Sequence, residues 1–251
     1  MEAQAFDRIE KKYLITKQAK KELLKTIKKH LKTDEYHKSE VYNIYFDNDN
    51  FDLIIQSIDR PTFKEKLRAR SYGGYDRVFF EIKTKLKGKD ANLGYKRRIM
   101  VTRQEYEKIV AGETTLLKLV SKNHSSKENQ IAKEIDYLIK HFKLKPRILV
   151  YYKRESYKGE NSLRITFDER LKFRQEELNF EHEKHDKIYF KDDHNIIMEI
   201  KAHGGLPIWL VELLSNNHIY PQQFSKIGRV YERIRKEKKC LTAYSIKHQQ
   251  A

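Results

Sequence analysis

The sequence predicts an α+β protein organised around an antiparallel sheet, with helices interrupting the strands. Eight short stretches alternate polar and apolar residues with a period of two, the mark of a strand with one buried face. Between them lie stretches with helical spacing or clusters of turn residues. With 9 Gly and 4 Pro in 251 residues there is little material for long linkers, so the chain is read as one domain over residues 1–251.

Residues 6–14 open the chain as a strand: Arg8, Glu10 and Lys12 point one way, Ile9 and Tyr13 the other. Thr16 caps a helix running to about Leu31, with Leu23, Leu24, Ile27 and Leu31 on one face. Strands follow at residues 41–46, 64–71, 78–85 and 95–101, with Gly73-Gly74 forming a turn between the second and third of these. Thr102 and Glu105 have the spacing of a capping box and start a short helix towards Val110. Residues 113–129 are polar and read as loop-like at their centre, after which a helix resumes near Ile131 and stops before Pro146. Strands at 148–157 and 162–168 flank a turn at Gly159-Glu160-Asn161. The last strand, residues 196–201, leads through Gly204-Gly205 to a helix whose first turn holds Pro207 and which carries Trp209 and Leu213. A final helix is expected over residues 221–235.

Charge narrows the class of partner. Lys and Arg number 53 against 36 Asp and Glu, a formal net charge of +17, which favours an anion: nucleic acid, an acidic membrane surface or phosphate. Cys240 is the only cysteine, so neither an internal disulfide nor a cysteine-based zinc site is available. The first residues lack the apolar run of a signal peptide and no segment reaches membrane-spanning length, so a cytoplasmic address is expected.

The cations are not scattered. Lys66, Arg68 and Arg70 share one strand face, as do Glu81, Lys83 and Lys85, then Lys96 and Arg98. Arg164, Thr166 and Asp168 oppose Leu163, Ile165 and Phe167, while Glu199 and Lys201 oppose Met198 and Ile200. Two architectures accommodate this pattern. A sheet can turn its charged face to solvent, or it can close into a barrel whose charged face lines a lumen. Periodicity does not separate them.

Sequence motifs bear on that choice. The segments RIEKKY (residues 8–13), KLRAR (66–70), FFEIKTK (79–85), YKRRI (95–99), YYKRESY (151–157), LRITFD (163–168), MEIK (198–201) and FSKIGR (224–229) run in one order along the chain. In that order they resemble the VTC domain, the catalytic domain of polyphosphate polymerase complexes, within the triphosphate tunnel metalloenzymes and related to the CYTH domains. The resemblance implies a closed antiparallel eight-stranded β-barrel, the triphosphate tunnel fold, with helices packed outside. It implies that Lys12, Arg68, Arg70, Lys83, Lys96, Arg98, Arg154 and Arg164 grip phosphate oxygens, joined by Lys66, Lys85 and Lys201 on the same faces. Arg97 between Lys96 and Arg98 leaves their register open by one residue. Lys226, beside Ser225, resembles a lysine at the tunnel mouth, and Glu199 matches the family's metal-binding carboxylate, with Glu10 and Glu81 as helpers for Mn²⁺ or Mg²⁺. Where CYTH proteins carry ExExK on the first strand, Arg8 stands in the first acidic position. That departure favours holding a long chain over hydrolysing a small triphosphate.

The residue types suit the chemistry. Arginine presents a planar fork to two oxygens, and lysine supplies a mobile point charge. The expected reaction moves the terminal phosphoryl group of ATP onto polyphosphate, with Arg68, Arg70, Lys83, Arg154, Arg164 and Glu199 as the catalytic set. Competing readings are a metal-dependent triphosphatase and a non-catalytic polyphosphate-binding module. Nucleic acid is not expected, because the strand aromatics mostly oppose the cations instead of interleaving with them. A membrane partner subunit is possible if product must cross a bilayer. Arg154 and Arg164 could alternatively belong to a buried ion network with Asp168 or Glu199. His182 and His185 lack metal-site spacing and read as loop residues. Lys17, Lys20, Lys21, Lys28 and Lys29 read as a solvated helix face, and Tyr13, Tyr45 and Tyr152 as packing.

Overall fold

Each alternating stretch forms a strand in the computed structural model, which describes residues 8–59, 62–73, 76–87, 92–120, 125–181, 185–190 and 196–249. The strands are β1 (Arg8–Ile15), β2 (Lys32–Asp47), β3 (Phe63–Tyr72), β4 (Val78–Lys87), β5 (Asn92–Val101), β6 (Lys145–Lys158), β7 (Arg164–Arg174), β8 (Lys187–Ile188) and β9 (Ile196–His203). The helices are α1 (Lys17–His30), α2 (Asp52–Asp59), α3 (Arg103–Val110), α4 (Leu116–Val120), α5 (Ser126–His141), α6 (Ile208–Asn216) and α7 (Lys226–Gln249).

The strands hydrogen-bond in the order β1-β9-β7-β6-β2-β3-β4-β5, with β8 beside β7. This corrects the expected closed eight-stranded barrel: the sheet is open. Closure needs the two ends of the order, β1 and β5, to pair with each other. Among the described residues β1 pairs with β9 and β5 with β4. Alternation reports that one face of each strand is polar and is silent on whether the first and last strands meet.

The chain divides into two compact units, and β2, β6 and β7 have residues in both. The first comprises residues 1–41, 151–172 and 187–224. Its core joins Tyr13 and Ile15 of β1, Ile165 and Phe167 of β7, and Met198 and Ile200 of β9 to Leu23 and Ile27 of α1 and Leu210 and Leu214 of α6. Thr16 caps α1 by accepting from the Ala19 amide. Lys20 departs from the solvated face expected for it, since its ammonium lies between Glu155 and Glu169 and over the Phe167 ring. The turn at Gly159 is tightly packed: a Cβ there would meet Leu31 Cδ2 at 2.3 Å. Gly204 has φ +72°, a conformation suited to its turn.

The second unit comprises residues 42–150, 173–186 and 225–251. Leu67, Ala69, Val78, Phe80, Ile82, Ile99 and Val101 bury the face of β3–β5 opposite the cations. Tyr106 of α3 packs on Phe80 with ring centroids 5.7 Å apart. The Thr102–Glu105 capping box is present. Within 113–129, α4 and the start of α5 lie on either side of residues 121–124, the expected loop centre, which fall outside the described residues; Ser125 and Glu128 form a second capping box, and Asp136 accepts from the Leu116 and Leu117 amides. Likewise α7 begins at Lys226, not at Pro221, with Ser225 Oγ accepting from the Gly228 amide at 3.3 Å. Gly74 and His182 lie outside the described residues, as does the side chain of Cys240. Among the described residues no helix is long and apolar enough to cross a membrane.

Candidate functional site

Register turns the alternating cations of the second unit into a ladder. Across β3 and β4, Lys66 faces Lys83, Arg68 faces Glu81 and Lys64 faces Lys85. Across β4 and β5, Lys83 faces Lys96 and Glu81 faces Arg98. Directly opposed residues in an antiparallel pair share a face. Three rows therefore lie side by side: Lys64–Lys85, Lys66–Lys83–Lys96 and Arg68–Glu81–Arg98. Arg97 pairs with Ile82 in register and turns to the other face, where it meets Glu134 at 2.7 Å, which settles the register of Lys96 and Arg98.

Glu81 organises this ladder. Its side chain is 1% exposed, with Arg68 at 2.7 Å, Lys96 at 2.5 Å and Arg70 at 3.8 Å. Burial opposes its ionisation, but the charges of Arg68, Arg70 and Lys96 outweigh that and hold its carboxyl down at about 2. The same burial pulls Lys96 below its ordinary value, only partly offset by Glu81. Arg70 donates to Asn43 Oδ1 at 2.8 Å, and Asn43 in turn donates to the Val150 carbonyl. Arg68 donates to the Tyr45 hydroxyl at 3.2 Å. Lys66 donates to Ser225 Oγ at 3.2 Å, and Lys226 follows as the first residue of α7. Lys85 is exposed.

In the first unit the polar face is balanced. Glu10 faces Lys201 and Lys12 faces Glu199 across β1 and β9; Arg164 faces Lys201 and Thr166 faces Glu199 across β7 and β9. Glu199 lies 2.8 Å from Lys201 and 3.9 Å from Lys12, which also approaches Glu10 at 3.3 Å. Arg154 forks onto Asp168 at 2.6 and 2.8 Å, and Asp168 is fully buried. Burial works against the Arg154 charge, but Asp168 overcomes it and raises the guanidinium well above its usual range. The arginine also lies over the Tyr152 ring at 5.3 Å. Arg164 binds Asp34 at 2.8 Å and Ser156 at 3.1 Å. The ion-network alternative thus describes Arg154 through Asp168, while Arg164 finds a different carboxylate.

Asn43, Tyr45, Asp34 and Ser156 were missed from sequence. Tyr45 and Tyr152, expected only to pack, each support an arginine. An uncharged residue on a strand gives no sequence signal of this kind, although Asn43 and Tyr45 keep the period-two spacing of β2. For a divalent cation, no three His, Cys, Asp or Glu side chains converge among the described residues. Glu199 stands opposite Thr166, whose hydroxyl is buried without a hydrogen-bond partner. A carboxylate beside an unsatisfied hydroxyl is a sparse all-oxygen set, which suits Mg²⁺ or Mn²⁺ when phosphate oxygens and water complete the shell. Among the described residues His185 lies 3.6 Å from Glu177 and keeps its loop reading.

The chain is similar to known proteins in sequence and in fold. The family model described as the VTC domain matches residues 7–233. The vacuolar transporter chaperone complex subunit 4 of Schizosaccharomyces pombe is 26% identical over 144 residues, covering 52% of this chain and 20% of the relative. Its Trypanosoma brucei brucei namesake is 27% identical over 165 residues, covering 57% of this chain and 21% of the relative. The chain therefore spans about a fifth of the length of these relatives. A solved structure from Hippeastrum, described as a putative adenylyl cyclase with a dominant triphosphatase activity, shares the fold with a TM-score of 0.52 at 14% identity, covering 89% of this chain and 95% of that one.

Proposed function

Because the chain belongs to the VTC domain family, we propose that it is a polyphosphate polymerase domain that moves the terminal phosphoryl group of ATP onto a polyphosphate chain. The observation that carries this reading is the β3–β5 ladder. Lys64, Lys66, Arg68, Arg70, Lys83, Lys85, Lys96 and Arg98 share one strand face, where Arg68, Arg70 and Lys96 converge on the Glu81 carboxylate. Cations gathered in register on one strand face favour an external polyanion as ligand. Rows repeat about every 6.6–6.8 Å along a strand, so a linear chain of phosphates can engage several rows in succession.

Phosphoryl transfer requires alignment and charge neutralisation more than a strong base. A terminal oxygen of the polyphosphate attacks the γ-phosphorus, the bond to the oxygen bridging the β-phosphate breaks, and the nucleoside diphosphate leaves. Arg68 and Arg70 are held by Glu81, Tyr45 and Asn43, so the N–H groups that these contacts leave are fixed in direction before a phosphate arrives. Lys83, Lys96 and Lys66 add point charges, with Lys85 and Lys226 as outer contacts. In this reading Glu81 acts as an internal counter-charge, since a metal there would displace three cations. Glu199, helped by Glu10, would hold Mg²⁺ or Mn²⁺, with Lys12, Lys201 and Arg164 placed to receive phosphate oxygens and Arg154 held on Asp168 behind them. The cation would polarise those oxygens. A cytoplasmic address and a membrane partner subunit belong to the same proposal, the latter supported by relatives named as subunits of a complex.

The test is incubation of purified protein with ATP and Mn²⁺ or Mg²⁺, followed by phosphorus NMR. Internal-phosphate signals that grow with time support polymerisation. Orthophosphate alone would replace it with the triphosphatase reading, which the fold shared with the Hippeastrum protein favours. Binding of polyphosphate without turnover would leave a binding module.

A further inference from the structure

The cationic ladder has an apolar end. Beyond the Arg68–Glu81–Arg98 row, the next row of the same face is Arg70–Phe79–Met100. Tyr72 follows Arg70 by two residues on β3 and meets Phe79 edge-on, with ring centroids 6.2 Å apart at 75°. The Arg98 guanidinium lies 4.9 Å from the Phe79 ring centroid. Met100, directly across from Phe79, is 49% exposed. In the opposite direction the rows are lysine-rich, Lys66–Lys83–Lys96 and then Lys64–Lys85. The face is therefore polar in the directional sense, with aromatic, thioether and guanidinium surface at one end and ammonium groups at the other.

We infer that Phe79, Tyr72 and Met100, with Arg98 laid over Phe79, form the platform for the nucleobase of the nucleoside triphosphate donor. The inference rests on the phosphate-binding reading of the ladder. A nucleoside triphosphate has the matching asymmetry, one flat π-surface joined to one strongly anionic tail. Its base gains from stacking on aromatic and guanidinium planes and from the polarisable Met100 sulfur. Its phosphates gain from the arginine and lysine rows. Placing the base on the Phe79 row directs the triphosphate towards Lys83 and Lys85, which orients the donor on the face. Stacking reads a π-face and not a hydrogen-bond pattern, so the platform selects nucleotides over bare triphosphate with little preference among bases.

The test compares ATP with inorganic tripolyphosphate as ligands, by calorimetry in the presence of Mg²⁺. Variants Met100→Ala and Phe79→Leu are measured beside the unaltered protein; Met100 is exposed, so its replacement does not threaten folding. Base stacking contributes about 1–3 kcal/mol, so ATP affinity is expected to fall about fivefold or more while tripolyphosphate affinity stays unchanged. Equal loss for both ligands, or no loss for either, overturns the platform. If the unaltered protein binds neither ligand, the phosphate reading itself fails and the platform falls with it. If it binds tripolyphosphate as tightly as ATP, the phosphate reading stands and the platform alone is overturned.

Discussion

On the polar face of the first unit the cations have carboxylates close at hand: Arg154 has Asp168, Arg164 has Asp34, and Lys12 and Lys201 approach Glu199. On β3–β5 of the second unit, Glu81 stands among Arg68, Arg70 and Lys96, with Lys66 and Lys83 in the adjacent row. Both faces grow from the same alternation of charged and apolar residues. What separates them is the number of acids placed in register. A balanced face keeps its shape without a ligand and retains carboxylate oxygens for a cation. A face with few acids in register draws its arginines onto one buried carboxylate and favours an anion as its ligand.

The largest expected effect tests the acids of the first unit. Glu199→Gln should lower turnover by about a hundredfold or more, the loss of several kcal/mol of charge stabilisation, while polyphosphate affinity is retained. Steady-state rates beside binding isotherms check this, and a rate near the unaltered one would remove Glu199 from the cation site.

Next comes a paired stability experiment. Asp168→Asn leaves Arg154 buried without its partner, and Glu81→Gln leaves three cations facing one another; each should cost about 3 kcal/mol or more in denaturant unfolding. Added polyphosphate should restore stability in the Glu81 variant by more than in the Asp168 variant, because an anion can replace the lost charge only where cations are in excess. Equal rescue would erase the distinction between the faces.

Acid sharpens the same comparison. Glu81 is held at about 2 in the folded protein against 4.5 for an unperturbed group. Its stabilising contribution is therefore complete above about pH 4.5 and is lost as pH falls towards 2, a change of about 3 kcal/mol. Glu81→Gln should flatten the stability profile across that interval, and an unchanged slope would mean the carboxylate is not so depressed. The smallest effect belongs to the exposed Lys85: Lys85→Ala should weaken polyphosphate binding about two- to threefold at low salt and less at high salt, as screening predicts. A loss that persists undiminished in high salt would mean a direct, desolvated contact.

Much of this arrangement was legible in the chain. Lys66, Arg68 and Arg70, and Glu81, Lys83 and Lys85, keep strict period two with apolar Leu67, Ala69, Phe80 and Ile82 between them, so strand and face follow together. Thr102 and Glu105 announced α3 by the capping box alone. Other features leave no local trace. The first half of β2, Lys32 to Glu40, is polar on both faces and mostly exposed, so no alternation betrays it. Helix α2 has eight residues, too few for a convincing period. Sheet closure depends on whether strands distant in sequence meet, which alternation does not encode, and the open order followed from pairing alone. Asn43 and Tyr45 escaped because their roles arise from Arg70 and Arg68 reaching across to them.

The central claim is that the acid-poor face of β3–β5 binds a polyphosphate chain. Titration of polyphosphate into the unaltered protein and into a Lys83→Ala, Lys96→Ala double variant, over a series of salt concentrations, tests it most directly. Tight binding that weakens with salt in the unaltered protein, and drops at least tenfold with a shallower salt dependence in the variant, is the expected result. Undiminished binding in the folded double variant would contradict the account and move the polyanion away from the ladder.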